Sequence, residues 1–260
     1  MMGNVISKQR QGAVTILTID HPPLNVMSQA VLRELDSLLD ELRDDTETVC
    51  VVITGAGDRA FMAGADIKEF PSLIGKKGIK SQFMESHAVL NKLDDFPKPT
   101  IAVLNGLTFG GGCELALTCD LRIAEDHVQI GLPEIKLGLF PGGGGTQRLP
   151  RVIGEARAKE MMFTGDPIDA EKAKEIGLVN KVAPKGEGLQ YGLKLAERIS
   201  RFSLPALSRI KRSVDEGLGV SLKDGLEREA ELFEEVFQTE DIKEGVQAFI
   251  EKRKPEFLHR

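Results

Sequence analysis

Residues able to do chemistry are sparse in this sequence, and the best placed are carboxylates set among glycines. Glu114 ends the run Asn105-Gly106-Leu107-Thr108-Phe109-Gly110-Gly111-Gly112-Cys113-Glu114, and Glu134 stands in Gly131-Leu132-Pro133-Glu134-Ile135, shortly before four consecutive glycines at 142–145. Glycine lets backbone approach a ligand closely and takes φ values other residues avoid. A helix opening at such a run directs unpaired N–H groups and the positive end of its dipole beyond the turn, where negative charge is stabilised. A second small-residue turn, Phe61-Met62-Ala63-Gly64-Ala65-Asp66, offers another backbone N–H. Two such donors converging on one point form an oxyanion hole, each contributing about 2.7–4 kcal/mol to a transition state. Glycines at a strand end also serve plain helix–sheet packing, and the run alone leaves both readings open. A dinucleotide fingerprint is not made, because no acidic partner stands in the required turn.

Glu114, flanked by Gly112, Cys113, Leu115 and Ala116, is expected to be shielded from solvent, with the helix N-terminus offsetting part of the burial cost. Glu134, in a loop after Pro133, reads from its own neighbours as a surface carboxylate. His21, His87, His127 and His259 form no nucleophile–base or metal-ligand spacing, and HExxH, EF-hand and P-loop patterns are absent. The available chemistry is therefore that of carboxylates, backbone donors and bound water.

These groups need elements to position them. Residues 12–20 alternate apolar and polar as a strand does, and 49–54 (VCVVIT) is an apolar run suited to burial on both faces. Ser28 can cap a helix with Leu32, Leu35, Leu39 and Leu42 on one face. Helices are expected over 81–94, 112–119 and 155–163, with strands at 100–104 and 121–124. Such βα alternation implies a mainly parallel sheet with crossover helices. Beyond about residue 195 the pattern is helical, with Leu222, Leu226, Ala230, Phe233 and Phe237 on one stripe and Thr239 capping a further helix. That stripe is expected to cover either its own core or a neighbouring subunit.

Composition narrows the class. A chain of 260 residues can bury roughly three-quarters of its extended surface around one large core. The net charge of −6 and the absence of Trp argue against a nucleic-acid surface. Cys50, Cys113 and Cys119 have no CxxC spacing and read as reduced, buried thiols. The N-terminal MMGNVISKQR lacks an apolar leader core, and no stretch is apolar enough to span a membrane. A cytoplasmic location is expected.

Four segments, FMAGADIKEF (61–70), KPTIAVLNGLTFGGGCELALTCDLRIA (98–124), GLPEIKLGLFPGGGGTQRLPR (131–151) and GEARAKEMMFTGDPIDAEKAKEIGLVNKV (154–182), closely resemble the enoyl-CoA hydratase/isomerase (crotonase) superfamily. The resemblance spans essentially the whole chain. It implies an α/β, crotonase-like spiral of ββα units, with a core over 1–195 and a C-terminal helical trimerisation region over 196–260. By the same resemblance, Glu114 and Glu134 are the catalytic glutamates, and Ala65 and Gly111 donate the oxyanion-hole N–H groups. Gly142 helps place water, and Ala63, Gly64, Ala65, Asp66 and Ile67 border the CoA pocket. The implied activity is hydration of a 2-enoyl-CoA in acyl-CoA and fatty acid metabolism, of which β-oxidation is one setting. The implied partner is an acyl-CoA substrate, with coenzyme A part of that substrate and no separate cofactor, no metal, no nucleic acid and no membrane. The implied assembly is a homotrimer or a homohexamer. Lys76, Lys77 and Lys80, or Lys252, Arg253 and Lys254, are candidates to meet the CoA phosphates. Alternatives are a Δ3–Δ2 enoyl-CoA isomerase and a non-catalytic binding member of the superfamily.

Overall fold

Every residue of Cys50–Gly55 and of Thr100–Leu104 is buried, as strands covered by helices on both faces must be. A computed structural model describes residues 4–260; the first three residues of the N-terminal segment read above lie outside the described residues. In chain order the elements are β1 (Ile6–Gln11), β2 (Val14–Ile19), α1 (Gln29–Asp44), β3 (Cys50–Gly55), β4 (Ala60–Ala63), α2 (Lys80–Asp94), β5 (Thr100–Leu104), β6 (Leu107–Phe109), α3 (Gly111–Leu117), β7 (Leu121–Glu125) and β8 (Gln129–Gly131). There follow α4 (Gly145–Ile153), α5 (Glu155–Thr164), β9 (Ile168–Asp169), α6 (Ala170–Glu175), β10 (Lys181–Ala183), α7 (Gly188–Ile199), α8 (Leu204–Gly217), α9 (Leu222–Val236) and α10 (Glu240–Glu251). Short 3-10 helices cover Ile67–Ser72 and Pro133–Leu137.

The larger sheet has the order β1-β2-β3-β5-β7-β10, parallel apart from the antiparallel β1–β2 hairpin. A smaller sheet runs β4-β6-β8-β9, with β4, β6 and β8 parallel. Each long strand β3, β5 and β7 is followed by a short strand of the second sheet and then by a helix, which is the ββα unit the resemblance implies. The two small-residue turns consequently end β4 and β6 of the smaller sheet. They do not end β3 and β5, as the apolar runs alone suggest.

Side-chain spacing explains the packing. Ser28 Oγ accepts the Val31 N–H and caps α1, whose Leu32, Leu35, Leu39 and Leu42 are all buried. On the opposite face α7 lies over β5, and a Cβ added to Gly192 would sit 2.5 Å from Val103 Cγ2. Glycine there permits the close approach of helix to sheet. Cys50, Cys113 and Cys119 are free and buried, and burial pushes the Cys50 and Cys119 thiols up to about 12. Among the described residues no helix is long and apolar enough to cross a membrane.

The C-terminal helices behave differently. Thr239 caps α10 as expected, accepting the Ile242 N–H. The stripe on α9 does not cover the chain's own core: Leu222 is 79%, Phe233 62% and Phe237 56% exposed. Its packing partner within the chain is α8.

Candidate active site

The three glycines preceding Cys113 have three separate tasks. Gly112 seats α3 against β4, since a Cβ there would lie 1.9 Å from the Met62 carbonyl oxygen. Packing is the right reading for this one residue. Gly110 caps α3 at φ +51°, a conformation that favours glycine, and its N–H donates to the Gly131 carbonyl at 3.0 Å. A Cβ on Gly110 would stand 2.9 Å from Glu134 Oε1 and 3.5 Å from Gly64 Cα, so both small-residue turns and the second glutamate meet at this point. Gly111 opens the helix with its N–H unspent among the described residues.

The second candidate donor lies just beyond β4, in the isolated bridge between Ala65 and Met27. Met27 N–H donates to the Gly64 carbonyl and Asp66 N–H to the Met27 carbonyl, so the Ala65 peptide is bridged on both sides by Met27. In a parallel bridge of this kind the central residue's own N–H points away from the bridging strand. The ladder with β6 ends at Ala63 and Phe109; beyond it Ala65 bridges Met27, whose side chain a Cβ on Gly111 would meet at 3.4 Å, so both residues lie against Met27. The Ala65 N–H likewise has no acceptor among the described residues. The remaining residues of the 63–67 stretch are committed otherwise. Ala63 N–H donates to the Leu24 carbonyl at 3.0 Å, Asp66 caps the following 3-10 helix through Lys68 N–H, and Ile67 is exposed.

Glu114 is 4% exposed. Its Oε1 accepts the Gly143 N–H at 2.7 Å and the Gly145 N–H at 2.8 Å. Burial raises its pKa, while those two amides and the nearby Arg148 charge oppose the rise. The glycine run at 142–145 therefore approaches a carboxylate of α3, a role its sequence does not reveal. A Cβ on Gly143 would lie 2.4 Å from Glu114 Oε2, whereas one on Gly142 would meet nothing nearer than Phe140 O at 3.9 Å. Gly142 is exposed, next in the chain to the Gly143 amide that Glu114 accepts.

Glu134 corrects its own sequence reading. It sits in the 3-10 helix Pro133–Leu137 instead of a loop, and it is half-buried. Its Oε2 is buried without a hydrogen-bond partner. Burial, opposed by its own backbone N–H and reinforced by the Glu114 charge, pushes its carboxyl up to about 7. Two carboxyls in one place, one gripped by amides and one poised near neutrality, can divide base and acid roles. Sequence reasoning missed Arg148, which bonds Asp94 and Asn91 of α2 behind the glycine loop. Among the described residues no group of three or more His, Cys, Asp or Glu is placed to hold a metal ion.

Comparison with known proteins bears on the chain as a whole. The family model described as enoyl-CoA hydratase/isomerase matches residues 9–260. A short-chain-enoyl-CoA hydratase of Clostridium acetobutylicum is 40% identical over 256 residues, covering 98% of this chain and 97% of the relative. A probable enoyl-CoA hydratase of Bacillus subtilis is 41% identical, covering 98% of each. The crystal structure of an enoyl-CoA hydratase from Bacillus anthracis superposes with a TM-score of 0.93 at 38% identity, covering 98% of this chain and 100% of that one.

Proposed function

This chain belongs to the enoyl-CoA hydratase/isomerase family, and from that premise we propose that it works as an enoyl-CoA hydratase, adding water reversibly and syn to a 2-trans-enoyl-CoA to give a 3-hydroxyacyl-CoA. The observation that carries the reading is the meeting of Glu114 and Glu134 beside two unspent amides. Attack of water at the β-carbon moves charge onto the thioester oxygen. The Ala65 and Gly111 N–H groups stabilise that enolate-like state more than the substrate, which is what lowers a barrier. Glu114 orients the water and takes its proton, Gly142 helps to place it, and Glu134 delivers a proton to the α-carbon. Coenzyme A enters as part of the substrate, with no separate cofactor. The stretch Ala63, Gly64, Ala65, Asp66 and Ile67 borders its binding pocket.

CoA phosphates need cations on an acidic protein. Lys76, Lys77 and Lys80 are exposed and make no ion pair among the described residues; Lys252 and Lys254 are exposed and without an ion pair too, but Arg253 between them is engaged by Glu244 and Glu251. The first cluster is the better supported site. Assembly as a homotrimer or homohexamer through the region 196–260 is supported by the accessible surface. At 14343 Å² it exceeds the roughly 11,000 Å² of a compact monomer of this size. A cytoplasmic setting, without nucleic-acid or membrane partners, completes the proposal.

Glu114→Gln and Glu134→Gln are each expected to lower hydration of crotonyl-CoA by roughly 10²–10⁴-fold, the usual worth of general acid–base catalysis. Loss of the enoyl absorbance measures it; a near-unchanged rate in either variant would sink the two-carboxylate reading. Hydration requires Glu134 protonated, so kcat should fall as pH rises through about 7, and dehydration, which runs on the same single proton held by the Glu114–Glu134 pair, should fall over the same interval. Conversion between 3-enoyl and 2-enoyl isomers without hydration would instead indicate an isomerase.

A further inference from the structure

We propose that Arg148 is a positioning residue for the Glu114 carboxylate, bracing the 142–145 loop against α2; the proposal rests on the reading of Glu114 as the water-activating base. Four glycines in succession have no side chains with which to hold their own loop, and Gly144 at φ +109° has a backbone conformation that favours glycine. The loop is fixed from its ends. On one side lies the buried Pro141; on the other the Arg148 side chain folds back over the loop, so that a Cβ on Gly144 would be 2.2 Å from its Nη1.

The guanidinium is tied at its remaining corners. Nε donates to Asp94 Oδ2 at 2.8 Å and Nη2 donates to Asn91 Oδ1 at 2.6 Å, residues three apart in the last turn of α2. Arg148 N–H also donates to the Gly144 carbonyl at 2.8 Å. A continuous set of contacts thus runs from α2 through the guanidinium and the loop backbone to the Gly143 and Gly145 amides and Glu114 Oε1. The arginine side chain is 15% exposed, so solvent competes little for these bonds.

Charge is the secondary part of its action. The titratable groups around Glu114 are Cys113 on its own helix, Glu134 on the 3-10 helix and Arg148 on α4, with Asp94 and His87 of α2 lying behind. Asp94 faces the guanidinium directly and neutralises much of its field. Geometry therefore outweighs charge, and lysine, which keeps the charge and loses the planar fork, separates the two.

The test compares Arg148→Lys, Arg148→Gln and Asp94→Asn in steady-state hydration of crotonyl-CoA across pH 5–9. Arg148→Lys is expected to lower kcat about 10–100-fold with KM within about threefold, since an ångström of misplacement costs roughly 10²-fold. Its acidic limb should stay where the wild type has it. Arg148→Gln should show a similar loss and an acidic limb moved to higher pH, because Glu114 then lacks its nearest cation. Asp94→Asn, which leaves the arginine in place, should lie between and serves as the readout if the arginine variants fail to fold. A kcat within twofold of wild type and an unmoved pH profile in the folded variants overturn the proposal. Loss of activity in Glu114→Gln alongside normal Arg148 variants defeats this inference alone, whereas full activity in Glu114→Gln defeats the underlying reading of the site.

Discussion

Helices α1 and α9 carry the same kind of apolar stripe and meet opposite fates. On α1, Leu32, Leu35, Leu39 and Leu42 are at most 5% exposed, packed against the larger sheet. On α9, Leu222, Leu226, Phe233 and Phe237 are each more than half exposed, and the last two form an edge-on ring pair at 5.3 Å that faces no other part of the chain's core. The spacing of apolar residues determines which face of a helix seeks burial. It says nothing of what supplies the burial, and for α9 the described residues of the chain supply little of it.

The contrast can be broken at three places. Leu39→Ala should produce the largest change, a loss of about 2–5 kcal/mol from a fully buried site, read by chemical denaturation. Phe233→Asp should cost the subunit's own fold less than about 1 kcal/mol, because the side chain leaves little packing behind. It should nevertheless shift sedimentation from an oligomer toward the monomer; an unchanged oligomer would remove α9 from the interface. The smallest effect is expected where the arm is rooted. Asp215 of α8 lies near Lys211, Asp120, Asp94 and Asp95, and burial together with those carboxylates pushes it up to about 6 against the opposing Lys211 charge. Its folded-state pKa is raised, so its stabilising term is full below the ordinary value of 3.8 and is lost as pH rises through about 6. Asp215→Asn should therefore raise thermal stability at pH 7 and flatten its dependence between pH 4 and 7. Because the side chain is only partly shielded and keeps contact with solvent, screening limits the gain to about 1 kcal/mol or less.

Legibility of the sequence followed the same division. Elements with dense apolar runs or clean spacing, such as β3, β5 and α1, stand where the residues indicate. β1 escaped because five of its six residues are exposed and polar, leaving no alternation to read. β4, β6, β8 and β9 are two to four residues long, too short for periodicity, although they carry the site. Pro150 inside α4 and Gly188 and Gly192 in α7 disguise helices whose partners tolerate a breaker. Glu114 was legible as a shielded carboxylate from its apolar neighbours. Glu134 was not, since its environment is assembled from Gly110 and Glu114, distant in sequence; only the family resemblance marked it. Arg148 gave no local signal, because its meaning lies in Asn91 and Asp94 across the fold.

The grip on Glu114 Oε1 is made wholly of peptide groups, from Gly143 and Gly145. Peptide groups have no rotamers to hop between. Thermal agitation can release the carboxylate only by shifting a stretch of main chain, so the anchor has the slow, collective mobility of a loop and not the picosecond wobble of a hydroxyl or amide side chain.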